Sequence, residues 1–302
     1  ASTLPDANNS YFYPSASVSF IASELFNLPA SFSFAKLRFG YGQVGSDTQP
    51  YSLQPYFEFL SNPYGTQLLG TEGNVLPNPN LKPERLSTIE VGADLRMFQN
   101  RVGLDLTWYK NNSTDQIISI PVSQTSGFGS KFINAGEIES TGIEALLSII
   151  PVRSNDFQWE VGVNFTRARS KVIKLTDDLT TYEISNNYLS VQAREGGRMG
   201  DVYGTGFVLV DPSTNQTVTV DDVDDIEDDW GHLYSGGFPV RDPNMRKLGN
   251  YNSDFMLGMN NTFTYKNFSL GFLLDWRHGG IVMSRTLLIG GTSGLIKETA
   301  EY

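Results

Sequence analysis

The sequence predicts an all-β fold, an antiparallel transmembrane β-barrel segment, from three observations. Apolar and polar residues alternate along stretches on the order of ten residues. Three of the four turns inside the hairpins are only a few residues long, while the links between hairpins are long. Aromatic residues gather at two levels along the strands.

The first pair of strands joins "YPSASVSFI" to "KLRFGYGQVG". Leu37, Phe39 and Tyr41 alternate there with Lys36, Arg38 and Gly40, which marks a half-exposed strand. Gly40, Gly42 and Gly45 also spell G-x-G-x-x-G, the spacing of a dinucleotide-binding loop. That loop must open a helix whose N-terminus receives the pyrophosphate. Pro50 and Pro55 follow instead, and each disfavours helical geometry just before itself. The glycines therefore read as small residues of a strand.

Alternation is clearest from Thr88 to Phe98. Ile89, Val91, Ala93, Leu95 and Met97 share one face, with Glu90, Gly92, Asp94 and Arg96 on the other. Past the short "FQNR" turn, Val102, Leu104, Leu106 and Trp108 oppose Gly103, Asp105, Thr107 and Tyr109. A second hairpin runs through Ile143, Ala145, Leu147 and Ile149 to a turn at "PVRSND". It returns through Phe157, Trp159, Val161, Val163 and Phe165. The last hairpin sets Phe255, Leu257, Met259, Phe263 and Tyr265 before "YKNF", and Phe268, Leu270, Phe272, Leu274 and Trp276 after it. Asn261 falls on the apolar face, which predicts a bulge at the "NN" pair.

These pairs give about eight strands of roughly ten residues, the length of a tilted membrane strand. The long links are Ser46 to Arg85, Ser113 to Ser140 and Ser170 to Asn252. Short periplasmic turns and long extracellular loops suit a membrane barrel. Alternation by itself also suits a soluble sandwich, whose strands average about five or six residues. The aromatic levels favour the barrel. Trp108 and Trp276 lie far from their turns, whereas Phe98, Phe157, Trp159, Tyr265 and Phe268 lie beside them, so Trp108, Trp159 and Trp276 are the candidate interface tryptophans. The polar face then lines a lumen with Glu90, Asp94, Arg96, Asp105, Glu144, Glu160, Asp275 and Arg277, while Gly92, Gly103, Gly162, Gly258 and Gly271 leave space. An eight-stranded barrel is too narrow to pack these charges dry, so strands beyond these or a plug are expected.

Composition narrows the function. A net charge of -11 and a pI near 4.7 argue against nucleic acid. There is no cysteine, and the two histidines, His232 and His278, are far apart. Thiol chemistry and a histidine-built metal or nucleophilic site are not expected. No segment approaches the ~18 unbroken apolar residues of a membrane helix, and the N-terminus lacks the regions of a signal peptide.

Two loops carry candidate binding residues. Asp221 to Tyr234 holds seven carboxylates with Trp230, His232 and Tyr234. Calcium at Asp225, Glu227 and Asp229 is a weak reading, because Trp230 stands where an EF-hand needs glycine. A sugar platform on the aromatics and a solvated acidic loop are the other readings. Tyr51, Tyr56, Phe57, Phe59 and Tyr64 are candidate contacts for substrate or lid, or loop packing. Asp94 and Asp105 have the makings of a glycosidase pair, yet lumen charge accounts for them without catalysis.

"NPNLKPERLSTIEVGADL" resembles the segment before a barrel strand in TonB-dependent outer-membrane transporters. "YFYPSASVSFIASELF" with "AKLRFGYGQVGSD", "INAGEIESTGIEALLSIIPV" and "DPNMRKLGNYNSDFMLGMNNTFTYKNFSLGFLLDWRHGG" are similar to stretches of SusC/RagA-type TonB-linked proteins of Bacteroidetes, in the same order. The resemblance implies an outer-membrane nutrient importer, not an enzyme. A SusD-like surface lipoprotein would lid it, and TonB-ExbB-ExbD would drive uptake of a glycan or peptide without a cofactor. Residues 1–302 would then be part of the barrel domain, roughly eight of about 22 strands, with the plug and other strands outside this sequence. "IKETAEY" lacks the alternation of a closing strand. A secreted β-sandwich carbohydrate-binding module and a passive porin are the alternatives.

Overall fold

The computed structural model describes residues 3–59, 61, 65–67, 70–210, 217–218, 231–232, 234–235, 238–295 and 297. The chain divides into two units: Ala1–Ile184 with Gln192–Met199 and Asp254–Arg277, and Ser185–Val191 with Gly200–Ser253 and His278–Tyr302.

The first unit is built on eight long strands: β1 (Ser15–Ile21), β2 (Phe32–Ser46), β3 (Glu84–Met97), β4 (Val102–Pro121), β5 (Ser130–Arg153), β6 (Phe157–Lys174), β7 (Phe255–Tyr265) and β8 (Phe268–His278). They pair antiparallel in chain order, and β1 and β8 form the two edges of an open sheet. The first predicted hairpin is present, with Ser17 opposite Gly40. Gly40, Gly42 and Gly45 all lie within β2, so the glycine spacing belongs to a strand.

The tight connections at Phe98–Arg101, Ser154–Asp156 and Lys266–Asn267 fall at one end of the sheet. Phe98, Gln99 and Asn100 all take left-handed φ angles, 54°, 58° and 64°, to reverse the chain in so few residues. The "PVRSND" turn is shorter than the sequence suggests, because β5 continues to Arg153. Between Ile149 and Val152 the register shifts against Val161 and Trp159. Pro151, which has no N–H to donate, sits in that bulge.

At the opposite end the strands outrun the expected ten residues, with β4 at 20 and β5 at 24. Most of the expected loop from Ser113 to Ser140 is therefore a paired hairpin, continuing to Pro121 opposite Ser130. Backbone pairing holds it where the sequence alternation fades. Asp115 (φ 55°) and Gly136 (φ 88°) take left-handed φ where the pairing skips one row between Thr114–Glu137 and Gln116–Ala135. Likewise β6 runs past Ser170 to Lys174. Beside that end Val172, Leu175 and Ala193 form a small buried cluster under Tyr182 and Met199.

Register sorts the two faces as the alternation requires. Phe39, Val91, Trp108, Ile143, Arg167 stand in successive pairings on one face, and Gly40, Glu90, Tyr109, Gly142, Ala168 on the other. The apolar face is uncovered: Val91 is 47% exposed, Leu106 41% and Leu270 67%. A sandwich would bury that face against a second sheet. An uncovered apolar face of this extent is not the surface of an ordinary soluble monomer.

Aromatic rings gather at two levels on this face. Near the tight turns Trp159 stacks on Phe263 at 5.5 Å, and Phe263 on Phe272 at 6.1 Å. Higher up, Phe255 contacts Phe165 at 5.8 Å and Trp276 edge-on at 5.3 Å.

The bulge expected at Asn261 is absent. Asn260 to Tyr265 pair with Gly162 to Phe157 without a shift, so Asn261 keeps its place on the apolar face. It is only 3% exposed, and its Oδ1 accepts the Trp159 Nε1–H at 3.2 Å. The indole supplies a donor that the apolar surroundings lack, while the Asn261 Nδ2 has no hydrogen-bond partner. Trp159→Phe therefore strips the amide of its one bond and lowers stability by about 1–3 kcal/mol. Asn261→Leu removes both amide ends together and is neutral or stabilising. Equilibrium unfolding of the refolded full-length protein in lipid distinguishes the two outcomes.

In the second unit Asp201–Phe207 pairs with Arg241–Asn250. Asp201 is buried but satisfied by Asn250 Nδ2 at 2.9 Å and Lys247 Nζ at 2.8 Å. A helix, Arg285–Thr292, begins at Ser284, whose side chain accepts the Leu287 N–H. No helix among the described residues is long and apolar enough to cross a membrane, which says nothing of crossing by strands.

Candidate functional site

The polar face of the sheet carries the candidate chemistry. Glu90 faces Tyr109, Asp94 faces Asp105, and Arg96 faces Gly103 across β3 and β4. Glu144 stands beside Thr107 on β5, and Glu160 beside Thr262 on β6. Asp275 and Arg277 lie two residues apart on β8, 3.9 Å between their charged groups. All eight residues expected on the polar side share one face by strand parity.

Arg38, which the sequence reading left unassigned, organises the middle of that face. Its side chain leaves β2, crosses β3 and reaches Asp105 on β4 with two parallel hydrogen bonds of 2.9 and 2.5 Å. A third bond, of 3.0 Å, goes to Thr107 Oγ1. Asp105 is thereby tied to a guanidinium, which removes it from a glycosidase role. The crossing requires Gly92: a Cβ there would stand 2.8 Å from Arg38 Nη2 and 3.2 Å from the Leu106 carbonyl. The signal was in the sequence, as a glycine on the charged face between an arginine strand and an aspartate strand.

Ser148 and Asn164, the register partners of Gly103 and Gly258, lean over those glycines from the adjacent strand. Gly162 borders open space, and a Cβ at Gly271 would meet only ordinary contacts, 3.6 Å from the Asn261 carbonyl oxygen. Leu146 and Leu273 also fall on the polar face, 56% and 66% exposed, so that face is not uniformly charged. Gly92→Val displaces Arg38 from Asp105 and overpacks the strand, lowering stability by about 1–3 kcal/mol. Gly162→Val, with nothing near it, has no such cost beyond its own backbone preference. Paired unfolding curves of the two full-length variants check this.

Two hollows open on the polar face. One, about 400 Å³, runs over Ser15, Ser17, Gly40, Gly42 and Glu90, where small residues leave the sheet low. The other, about 340 Å³, lies near the tight turns among Ser148, Glu160, Gly162, Asn260 and Thr262.

Above the sheet the segment before β3 is locked to the extended β4–β5 hairpin. Asn134 Nδ2 donates to the Lys82 and Asp115 carbonyls at 2.7 and 2.9 Å. Its Oδ1 accepts the Lys82 N–H at 2.7 Å, so one side chain mimics a strand edge. Glu84 Oε1 accepts the Ile117 N–H at 2.9 Å, and Asn78 Nδ2 donates to the Phe132 carbonyl at 3.2 Å. Leu81 is fully buried beneath this clamp. The clamp escaped the sequence reading because its partners are 52 residues apart.

Of the expected binding aromatics, Tyr51 is 76% and Tyr56 44% exposed, with ring centroids 6.1 Å apart. Phe57 and Phe59 sit on a short strand paired with Gly70–Glu72, both strongly exposed. Tyr64, Trp230 and the acids Asp225, Glu227 and Asp229 lie outside the described residues, as does the Tyr234 side chain. Among the described residues no group of three or more His, Asp or Glu is placed to hold a metal.

Residues 2–274 match a family profile described as TonB dependent receptor-like, beta-barrel. TonB-dependent receptor P3 of Formosa agariphila is 29% identical, over 97% of this chain and 31% of its own. TonB-dependent receptor SusC of Bacteroides thetaiotaomicron is 24% identical, over 79% of this chain and 24% of its own. A solved structure described as the RagAB peptide transporter superposes with a TM-score of 0.71 at 20% identity, over 91% of this chain and 30% of that one. The chain thus spans less than a third of the length of these relatives.

Proposed function

The chain belongs to the TonB dependent receptor-like β-barrel family, and on that premise we propose that it forms part of the wall and outer rim of a nutrient importer. Its open sheet is a section of an outer-membrane barrel, with the apolar face toward lipid and the polar face toward a wet interior. In this reading Glu90, Asp94, Arg96, Asp105, Glu144, Glu160, Asp275 and Arg277 line the lumen. Trp108 and Trp276 stand at one interface and Trp159 at the other.

The imported molecule is a glycan or a peptide. The name of one structural neighbour supports the peptide, and the exposed Tyr51–Tyr56 pair supplies ring faces suited to sugars. A SusD-like lipoprotein closes the outer side over the long loops, and TonB-ExbB-ExbD pulls on the plug of the complete protein. No covalent step is involved. The observation that carries the reading is the two-faced sheet, uncovered and apolar on one side, charged and glycine-gapped on the other.

The test is growth of the source bacterium lacking the gene, on defined glycans or peptides as sole nutrient. Loss of growth on one class, restored by the full-length gene and again lost without TonB, supports the proposal. Growth that stays TonB-independent on every class contradicts it.

A further inference from the structure

Past Phe165 the apolar face of β6 turns cationic for three positions before reaching Ile173. Those positions are Arg167, Arg169 and Lys171, all exposed. Arg167 is paired with Ile143, and Ile143 with Trp108, so a cation stands in one row with a candidate interface tryptophan. The ring cluster of Phe165, Phe255 and Trp276 adjoins it.

The carboxylates nearby are largely committed. Glu139, the register partner of Lys171, binds Lys110 at 2.7 Å. Asp254 binds Arg169 at 2.9 Å and Arg198 at 3.3 Å. Glu137 accepts from Asn112 at 2.9 Å. Arg167 and Lys171 have no ion-pair partner among the described residues, and Arg169 spends one nitrogen of its fork on Asp254.

We propose that Arg167 and Lys171, with the spare donors of Arg169 between them, bind the phosphate of an anionic lipid in the outer leaflet. The site rests on the reading that the apolar face meets lipid. A cation at the edge of a hydrocarbon layer is costly without a counter-charge, and a lipid phosphate brings one to that depth while its acyl chains lie along the apolar face below. Arg167 and Lys171 are four residues apart on one strand, roughly 13 Å at about 3.3 Å per residue. That separation is bridged by two long side chains converging on one headgroup. Arginine forks match phosphate geometry in two-pronged fashion.

The experiment uses the full-length receptor, purified in detergent and incubated with lipid A or with enzymatically dephosphorylated lipid A, and reads retained lipid by native mass spectrometry. Retention of lipid A about tenfold above the dephosphorylated form is expected, as is a loss of about tenfold in Arg167→Ala and in Lys171→Ala. Arg167→Lys retains most of the binding, and Arg101→Ala, at a tight turn, changes nothing. Equal retention of the two lipids, or retention indifferent to Arg167→Ala and Lys171→Ala in protein that still inserts into phosphatidylcholine vesicles, overturns the proposal while leaving the membrane reading intact. Displacement of lipid A by equimolar inorganic phosphate assigns the site to a free anion and also overturns it. Failure of the unaltered receptor to insert at all would instead sink the membrane reading beneath it.

Discussion

Leu147→Arg lowers the stability of the full-length protein in a bilayer by about 2–4 kcal/mol, whereas Leu146→Arg, one residue earlier, leaves it nearly unchanged. The two leucines are neighbours on β5 but belong to opposite faces. Leu147 is registered between Leu104 and Val163, in the apolar rows between the two aromatic levels. Leu146 is registered between Asp105 and Asn164 and is 56% exposed on the charged face. Size, charge and strand propensity change identically in the two variants. Only the solvent each side chain meets differs, so the difference isolates it. Equilibrium refolding into vesicles measures both, and equal costs at the two sites would contradict the assignment of faces.

Leu81→Ala costs about 2–5 kcal/mol and acts locally. Leu81 is fully buried, in a segment otherwise held by hydrogen bonds that are exposed or only partly buried. The Asn8 side chain caps its carbonyl at 3.3 Å, and Asn134 fixes Lys82 next to it. Emptying the pocket loosens residues 74–84 from the β4–β5 extension while the transmembrane part of the strands, held by backbone pairing, is unaffected. Hydrogen exchange on the full-length protein is expected to show faster exchange at Lys82 and Ile117, whose N–H groups depend on the clamp, with Leu104 and Leu106 unchanged. Uniform loss of protection, or none, is the contrary result.

How much of this could be read beforehand depended on where solvent enforces a pattern. Wherever one face meets an apolar phase and the other a polar one, as from Ile89 to Met97, period-two alternation fixed strand, face and register together. Beyond that zone no apolar phase meets one whole face of β4 and β5; residues 113–120 are half-buried and Ala135 and Ile138 are buried. The sequence from Ser113 to Ser140 therefore lost its alternation and read as a loop, although backbone pairing carries the hairpin on to Pro121 and Ser130. Asn261 misled for the opposite reason. Its amide is answered by the Trp159 indole from the next strand, a contact across 102 residues. Pro151 read as part of a turn because a bulge, which tolerates it, has no local signature beyond the proline itself. Tyr51 and Tyr56 could be read as loop aromatics, for binding or for packing, but the clamp through Asn134 could not be read at all, since neither partner motif predicts the other's place in space.

This stretch of chain has no cysteine, so single cysteines report cleanly on what each face touches. Spin labels at Leu106→Cys and Thr107→Cys, in the full-length protein with any other cysteine removed and reconstituted in vesicles, can be probed with dissolved oxygen, which concentrates in lipid, and with a water-soluble nickel complex. The label at position 106 should be relaxed by oxygen and shielded from nickel, and the label at 107 should show the reverse. If position 106 were closed to both reagents, the apolar side would be packed against protein in a dry interior, and the barrel wall described above would not exist.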